Sequence, residues 1–135
     1  VVLLDPVGGP IAVALAEELG PRAVIVTQDQ IAGNELARTG DLAPANVRLA
    51  QRGVRVERRS VVVEVRRAGD GGVEVELGDR FSGARRVLAA ADVVDCGFRL
   101  PDPPVPGATI QVGDCVAPRT VHEAVLEGRR AALSL

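Results

Sequence analysis

Two short apolar segments flank one amphipathic segment at the start of the chain, and this order constrains the fold more than any other feature. Residues 1–4 and 23–27 are apolar and rich in Val, which is typical of buried strands. Between them, apolar residues recur at helical spacing, at Ile11, Leu15, Ala16 and Leu19. Pro10 suits the first helical position and Gly20 suits the helix end. The spacing predicts two parallel strands joined by a right-handed crossover helix.

The residues up to position 100 continue with one helix and several short strands. A helix is predicted over residues 41–52, with Asp41 near its start and Val47 and Leu49 as apolar contacts, and residues 54–56 suit a short parallel strand. Three alternating segments with a tight-turn signal at positions 70–72 predict an antiparallel meander, at residues 60–66, 73–77 and 85–88. Residues 92–96 (DVVDC) are predicted to form a buried strand.

Four prolines between positions 101 and 106 exclude helix and sheet interior there, so residues 100–109 are predicted to be a linker. Residues 110–112 after it are predicted to form an apolar strand. Thr120 and Glu123 then make a T-x-x-E capping box, which predicts a helix over residues 120–133. Gly128 lowers the stability of that helix, so either a backbone or ligand packs closely against it or the helix tolerates the loss.

Length, charge and cysteine content exclude several classes of protein. The chain has 135 residues and a formal net charge of −2 with acids and bases mixed, so no nucleic-acid face is indicated. No apolar run approaches the roughly 20 residues of a membrane span, and no secretory signal is present, so we expect a cytoplasmic protein. The chain begins with Val1, and we expect it to be a fragment of a longer protein. Cys96 and Cys115 lack metal-ligand spacing, which favours two free thiols over a disulfide.

The segment order and the tail together resemble a known family. The tail reads IQVGDCVAPR at residues 110–119, an apolar segment that ends in Gly-Asp and opens into a capped helix. The chain resembles the C-terminal nucleotide-binding region of old yellow enzyme-like flavin oxidoreductases, which include 2,4-dienoyl-CoA reductase, trimethylamine dehydrogenase and histamine dehydrogenase. The resemblance rests on segments spread over nearly the whole chain, at residues 5–17, 23–27, 39–41, 91–94, 113–119 and 124–128.

This resemblance implies an α/β fold of the FAD/NAD(P)-binding type, with a Rossmann-like parallel sheet and a three-stranded antiparallel meander. Residues 1–99 would be the NAD(P)-binding-type subdomain, residues 100–109 the linker, and residues 110–135 part of the flavin-side half. FAD or ADP would be a cofactor of the parent enzyme, with Gly113, Asp114 and Arg119 facing it. The parent would be a flavin-dependent oxidoreductase, and this part alone would be inactive, with no catalytic residue.

The first loop departs from the dinucleotide fingerprint G-x-G-x-x-G. Only Gly8 and Gly9 remain as candidate cofactor-binding residues, Ala12 stands near the third glycine position, and Asp5 begins the turn. Pro6 and Pro10 each lack an N–H group, and a carboxylate near a phosphate is repulsive. NAD(P) is therefore disfavoured, and three alternatives stay open: dinucleotide binding, a fold that has lost its ligand, or an altered ligand. The loop is similar to that of the dehydrogenase members of the family, which implies no nicotinamide cofactor.

The remaining polar candidates and partners are weaker. Asp29 lies 20 residues after Gly9, near the position of a ribose-binding acid, but it lies past the strand end, which favours a plain surface aspartate. His122 is the single histidine, and no metal site is predicted. The expected partners are the rest of the parent chain and a second copy of this chain. The last helix would bury Val121, Val125 and Ala132 in a homodimer or an intramolecular contact.

Three classes of function therefore remain: part of a flavin oxidoreductase, a cofactor-free structural or subunit-contact module, and a small nucleotide-sensing domain.

Overall fold

The computed structural model describes residues 1–69, 71–101, 105–107 and 110–135. The chain forms two compact units, Val1–Gly97 and Phe98–Leu135. The described residues of the first unit form seven strands: β1 (Val2–Asp5), β2 (Val24–Thr27), β3 (Arg55–Glu57), β4 (Ser60–Arg67), β5 (Val73–Asp79), β6 (Arg85–Ala90) and β7 (Val93–Asp95). They also form the helices α1 (Pro10–Leu19) and α2 (Leu42–Gln51), a 3-10 helix (Asn34–Thr39) and a short 3-10 turn (Gly20–Arg22). The second unit contains a 3-10 turn (Gly113–Cys115) and α3 (Val121–Leu133).

The first unit has the predicted α/β architecture. Four strands form a parallel sheet in the order β3-β2-β1-β7, and β4, β5 and β6 form a separate antiparallel sheet. The crossover from β1 through α1 to β2 is confirmed, with Val2 beside Val24 and Asp5 beside Thr27 in the register. Residues 54–56 also form a parallel strand as predicted, shifted by one position. The fold class predicted from segment order is therefore confirmed.

The two helices that pack on the sheet bury only some of the residues expected: Ala16 and Leu49 are buried as predicted, and the other buried positions differ. In α1 the buried side chains are Ala12, Val13 and Ala16, whereas Ile11 and Leu15 are 40% and 38% exposed. In α2 the buried side chains are Ala45 and Leu49, four residues apart on one face. Val47 lies between them in sequence and therefore on the other face, where it is 55% exposed, so its predicted contact is wrong.

The meander packs one face onto the parallel sheet. Val75 and Leu77 of β5 are fully buried and form an apolar cluster with Val2 and Val26. Side chains alternate along a strand, so the neighbouring Glu74 and Glu76 of β5 point away from this cluster. The predicted hairpin of β4 and β5 is confirmed. In its turn, Gly71 has a φ of +90°, and residue 70 lies outside the described residues.

The strand over residues 92–96 forms, but the expectation that it is buried is wrong. β7 lies at the edge of the parallel sheet with β1 as its neighbour, and Val94 is 37% exposed. An edge strand has a sheet neighbour on one side only, so its side chains remain accessible even in an apolar sequence. The buried residue of this segment is Cys96, which follows the strand and donates its backbone N–H to the Leu4 carbonyl at 2.8 Å.

In the second unit the helix prediction is confirmed and the strand prediction is wrong. Thr120 caps α3, and its side chain and that of Glu123 form the reciprocal capping box. Residues 110–112 form no strand, because a strand needs a pairing partner and no other strand occurs in the described residues of this unit. The linker prediction for residues 100–109 falls partly on positions 102–104 and 108–109, outside the described residues. No helix in the described parts of the chain is long and apolar enough to cross a bilayer.

Candidate functional site

The carboxyl ends of the parallel strands form the crevice where this class of fold binds ligands. β1 lies between β2 and β7. The chain therefore continues from β1 to β2 on one side and later returns as β7 on the other side. Such a switch point opens a crevice at the carboxyl edge of the sheet. A cleft of about 320 Å³ lies there. Its walls come from the ends of β1, β2 and β7 and from the start of β4, including Asp5, Pro6, Gln28, Ser60, Val62 and Asp95.

Asp5 is the last residue of β1, and its buried side chain binds the backbone of the glycine loop that follows. Its side chain is 1% exposed, and its Oδ1 atom accepts hydrogen bonds from the backbone N–H groups of Gly8 at 2.9 Å and Gly9 at 3.2 Å. Its Oδ2 atom has no hydrogen-bond partner among the described residues. Burial raises the pKa of Asp5, and the N–H groups of Gly8 and Gly9 act in the opposite direction.

The chain itself covers the other side of the loop. Gly8 has a φ of +75°, and a Cβ there would lie 3.0 Å from the Asn34 backbone nitrogen and 3.2 Å from Asp29 Oδ2. The Gly8 carbonyl also accepts the N–H of Glu35 at 2.9 Å. Gly8 is therefore fixed by the 3-10 helix that follows β2. The Asp29 carboxylate lies beside Gly8, and the Asp29 backbone carbonyl accepts the N–H of Arg59 at 3.0 Å.

A dinucleotide pyrophosphate does not fit this loop. It would need the N–H groups of Gly8 and Gly9, and both donate to the Asp5 carboxylate. Pro6 and Pro10 contribute no N–H group at all. Gln28 holds the loop further, because its amide donates to the Pro6 carbonyl at 2.6 Å. The donor set is thus occupied by the chain's own acceptors.

The second unit brings together the three residues expected to face a flavin or ADP. Gly113 begins the 3-10 turn with a φ of +71°, and a Cβ there would lie 3.2 Å from the Ala124 Cβ. The backbone N–H of Arg119 donates to Asp114 Oδ1 at 3.4 Å. Gly113, Asp114 and Arg119 line one cleft of about 410 Å³, together with Arg99 and the start of α3.

Glu127 is a site residue that the sequence did not indicate. Its Oε2 atom accepts the N–H of Gly113 at 2.7 Å, and its Oε1 atom accepts a hydrogen bond from the Arg119 guanidinium. The hydrogen bond from the Gly113 N–H lowers the pKa of Glu127 most, and the hydrogen bond from Arg119 lowers it further. No spacing in the sequence indicates this contact, because it joins residues 14 positions apart.

The Gly113 cleft has donors for an anionic cofactor group, but they are free for a ligand only when Glu127 releases them. The donors suit an anion, since a backbone N–H and a guanidinium are common phosphate partners. Both donors, however, bind the Glu127 carboxylate.

The remaining candidates are one histidine and two cysteines. His122 is exposed at the start of α3. Cys96 is buried and Cys115 is exposed, and both are free. Among the described residues, no group of three or more His, Cys, Asp or Glu side chains could hold a metal ion.

Several solved structures share this fold, two of them over nearly the whole chain. Histamine dehydrogenase from Rhizobium sp. 4-9 matches with a TM-score of 0.83 and 22% identity, over 99% of this chain and 23% of that one. The 6-hydroxypseudooxynicotine amine oxidase from Pseudomonas geniculata N1 matches with a TM-score of 0.80 and 16% identity, over 96% of this chain and 21% of that one. The Diels-Alderase PyrE3 of pyrroindomycin biosynthesis matches with a TM-score of 0.53 and 19% identity, over 70% of this chain and 32% of that one.

These likenesses are likenesses of fold, since all three identities are below 25%. Histamine dehydrogenase belongs to the family that the sequence resembles, so the resemblance is confirmed at this level. The chain spans less than a quarter of the length of the first two proteins. No family model and no curated protein matches the sequence.

Proposed function

We propose that this chain is the nucleotide-binding-type region of a flavin-dependent oxidoreductase of the 2,4-dienoyl-CoA reductase and trimethylamine dehydrogenase type, and that its first glycine loop takes no nicotinamide dinucleotide. The observation that carries the second part is the Asp5 carboxylate, which accepts the N–H groups of both Gly8 and Gly9. The region positions and stabilises its parent enzyme and has no catalytic residue of its own.

Charge and space both support the exclusion of NAD(P) from the first loop. A phosphate oxygen about 4 Å from the Asp5 carboxylate would be repelled by roughly 4 kcal/mol at an effective dielectric constant of 20. The backbone of Asn34 and the carboxylate of Asp29 lie just outside Gly8, where a ligand would have to approach. Binding would therefore require both a displaced carboxylate and a displaced 3-10 helix.

The Gly113 cleft is the better candidate for a nucleotide. We assign Gly113, Asp114 and Arg119 to the FAD or ADP of the parent, because they share one cleft with a second guanidinium, that of Arg99. Gly113 and Arg119 would hold phosphate oxygens, and the exposed Asp114 carboxylate would accept ribose or ribityl hydroxyls.

The alternative is a cofactor-free structural or subunit-contact module. It is favoured by the internal satisfaction of both candidate donor sets, by Asp5 in the first unit and by Glu127 in the second. The exposed Val121 and Val125 of α3 would then contact the parent chain or a second copy.

Calorimetric titration of the 135-residue chain with NADH, NADPH, ADP and FAD tests the proposal. We expect no binding of NADH or NADPH to the wild type, and micromolar binding of either contradicts the proposal. Asp5→Gly frees the loop N–H groups and Asp5→Asn keeps an acceptor on them, so any gain in NADH affinity should occur in Asp5→Gly alone. Binding of ADP or FAD favours the flavoprotein assignment, and binding of neither favours the cofactor-free module.

A further inference from the structure

We propose that Glu127 is an internal competitor for the phosphate group of a nucleotide in the Gly113 cleft, and that it sets the affinity of that cleft. The inference rests on the proposed assignment of this cleft to FAD or ADP. The inference adds Glu127 to the residues of that cleft. It also explains why the cleft would bind its ligand weakly until the Glu127 side chain moves.

The two donors that a phosphate would use are held by the two oxygens of one carboxylate. Glu127 Oε2 lies 2.7 Å from the Gly113 backbone nitrogen, and Oε1 accepts from the Arg119 guanidinium. A phosphate also carries oxygens on one central atom, and two of them could accept from the same two N–H donors. A ligand phosphate and Glu127 therefore exclude each other at this position.

The charges in the cleft favour an anion only when Glu127 has left. Among the described residues that line the cleft, Arg99 and Arg119 are cationic and Asp114 is anionic. Glu127 adds a second negative charge through its bonds to Gly113 and Arg119. The Arg99 guanidinium already lies 3.9 Å from Asp114 Oδ2. Releasing Glu127 leaves one positive charge in excess, with the Arg119 guanidinium directed at the vacated position.

The release of Glu127 needs only its own side chain to rotate. Gly113 lies in the 3-10 turn and not on the helix, and its carbonyl accepts the N–H groups of Val116 at 3.0 Å and Ala117 at 3.1 Å, so bonds other than that to Glu127 hold it in place. The Glu127 side chain is 26% exposed, so water can receive the carboxylate as it turns away. Both donors then face the cleft with no change in backbone.

The chain offers a matched control on the same helix. Glu123 lies four residues before Glu127 and accepts hydrogen bonds from Thr120 in the capping box. Its substitution by glutamine makes the same change in net charge, and glutamine also serves in a capping box. Among the hydrogen bonds and ion pairs of the described residues, none joins Glu123 to Gly113 or Arg119.

The experiment measures ADP binding by calorimetry to the wild type, Glu127→Gln, Glu127→Ala and Glu123→Gln, with circular dichroism to verify that each variant retains α3. We expect Glu127→Ala to bind ADP about tenfold more tightly than the wild type, since it loses the whole competing acceptor. Glu127→Gln should gain less, because its amide oxygen can still accept from Gly113. Glu123→Gln should equal the wild type. Pyrophosphate should follow the order of ADP, whereas adenosine should not distinguish the variants.

Three results would overturn the inference. Equal gains in Glu127→Gln and Glu123→Gln would indicate a general charge effect. Equal ADP affinity of the wild type and Glu127→Ala would exclude competition. Absence of ADP and pyrophosphate binding in every folded variant would exclude the anion site. Binding of FAD to the wild type with no effect of Glu127 would leave the flavoprotein proposal intact, so the two failures are distinguishable.

Discussion

The backbone nitrogen of Gly8 lies 2.9 Å from the Oδ1 atom of Asp5, three residues earlier in the chain. A buried N–H group must find an acceptor, and this loop finds it in its own carboxylate. The same solution occurs at Gly113, whose N–H donates to Glu127. In both loops the acceptor is part of the chain, so loop geometry does not depend on a ligand.

Asp5 makes stability depend on pH with an unusual sign for a carboxylate. Burial raises its pKa above the ordinary aspartate value of 3.8, against the pull of the Gly8 and Gly9 N–H groups. The folded chain therefore holds the proton more tightly than the unfolded chain. The contribution of Asp5 to stability is fully present below the ordinary pKa and is lost as the pH rises through the raised one.

Asp5→Asn should therefore gain stability relative to the wild type as the pH rises across that window, and keep a constant difference above it. Each unit of difference between the two pKa values corresponds to about 1.4 kcal/mol. Urea unfolding of both proteins from pH 3 to pH 7 measures the difference. Asp92→Asn, at an exposed position, is the control and should show no such trend. A difference that is flat or falls with pH would contradict the burial of the charge.

Gly8 and Gly9 should respond very differently to the same substitution. Gly8→Ala adds a Cβ 3.0 Å from the Asn34 nitrogen at a φ of +75°, so we expect a loss of about 2–3 kcal/mol. At Gly9, where φ is −87° and no atom lies within 4 Å of a Cβ, the cost should stay below about 1 kcal/mol. Denaturant unfolding at one pH gives both values, and equal losses would show that Asn34 does not cover the loop.

Leu77 joins the meander to the parallel sheet. It is fully buried beside Val2 and Val26, so Leu77→Ala should lower the free energy of unfolding by about 2–5 kcal/mol. Val87→Ala on β6 removes a side chain that is 50% exposed and should cost far less. Comparable losses in the two variants, measured by urea unfolding, would mean that the meander does not pack through Leu77.

The parts of the fold that were predictable are those set by neighbours in sequence. The crossover through α1 and the capped start of α3 follow from residues a few positions apart, such as Thr120 and Glu123. Strand pairing depends on distant residues instead. Residues 110–112 have the composition of a strand but no partner in the described residues of their unit, and β7 has the composition of a buried strand at a sheet edge.

The candidate site divides in the same way. The conflict between Asp5 and a phosphate was predictable because Asp5 lies within the loop that it closes. Glu127 was not predictable from spacing, since it contacts Gly113 across 14 positions and a change in chain direction. Asn34 likewise contacts Gly8 only because the 3-10 helix folds back over the loop.

The exposed face of α3 leads to a prediction about assembly. Val121 and Val125 lie four residues apart on one helix face and are 79% and 65% exposed, and no residue of α3 is buried. Apolar residues arranged in this way favour association, so we predict that the 135-residue chain forms a homodimer through this face. Multi-angle light scattering should then give twice the chain mass for the wild type and the single mass for Val125→Glu. Val47→Glu makes the same change at a valine 55% exposed on α2 and should stay dimeric. A wild type that remains monomeric at every concentration would show that this face needs a different partner, and loss of the dimer in both variants would place the contact elsewhere.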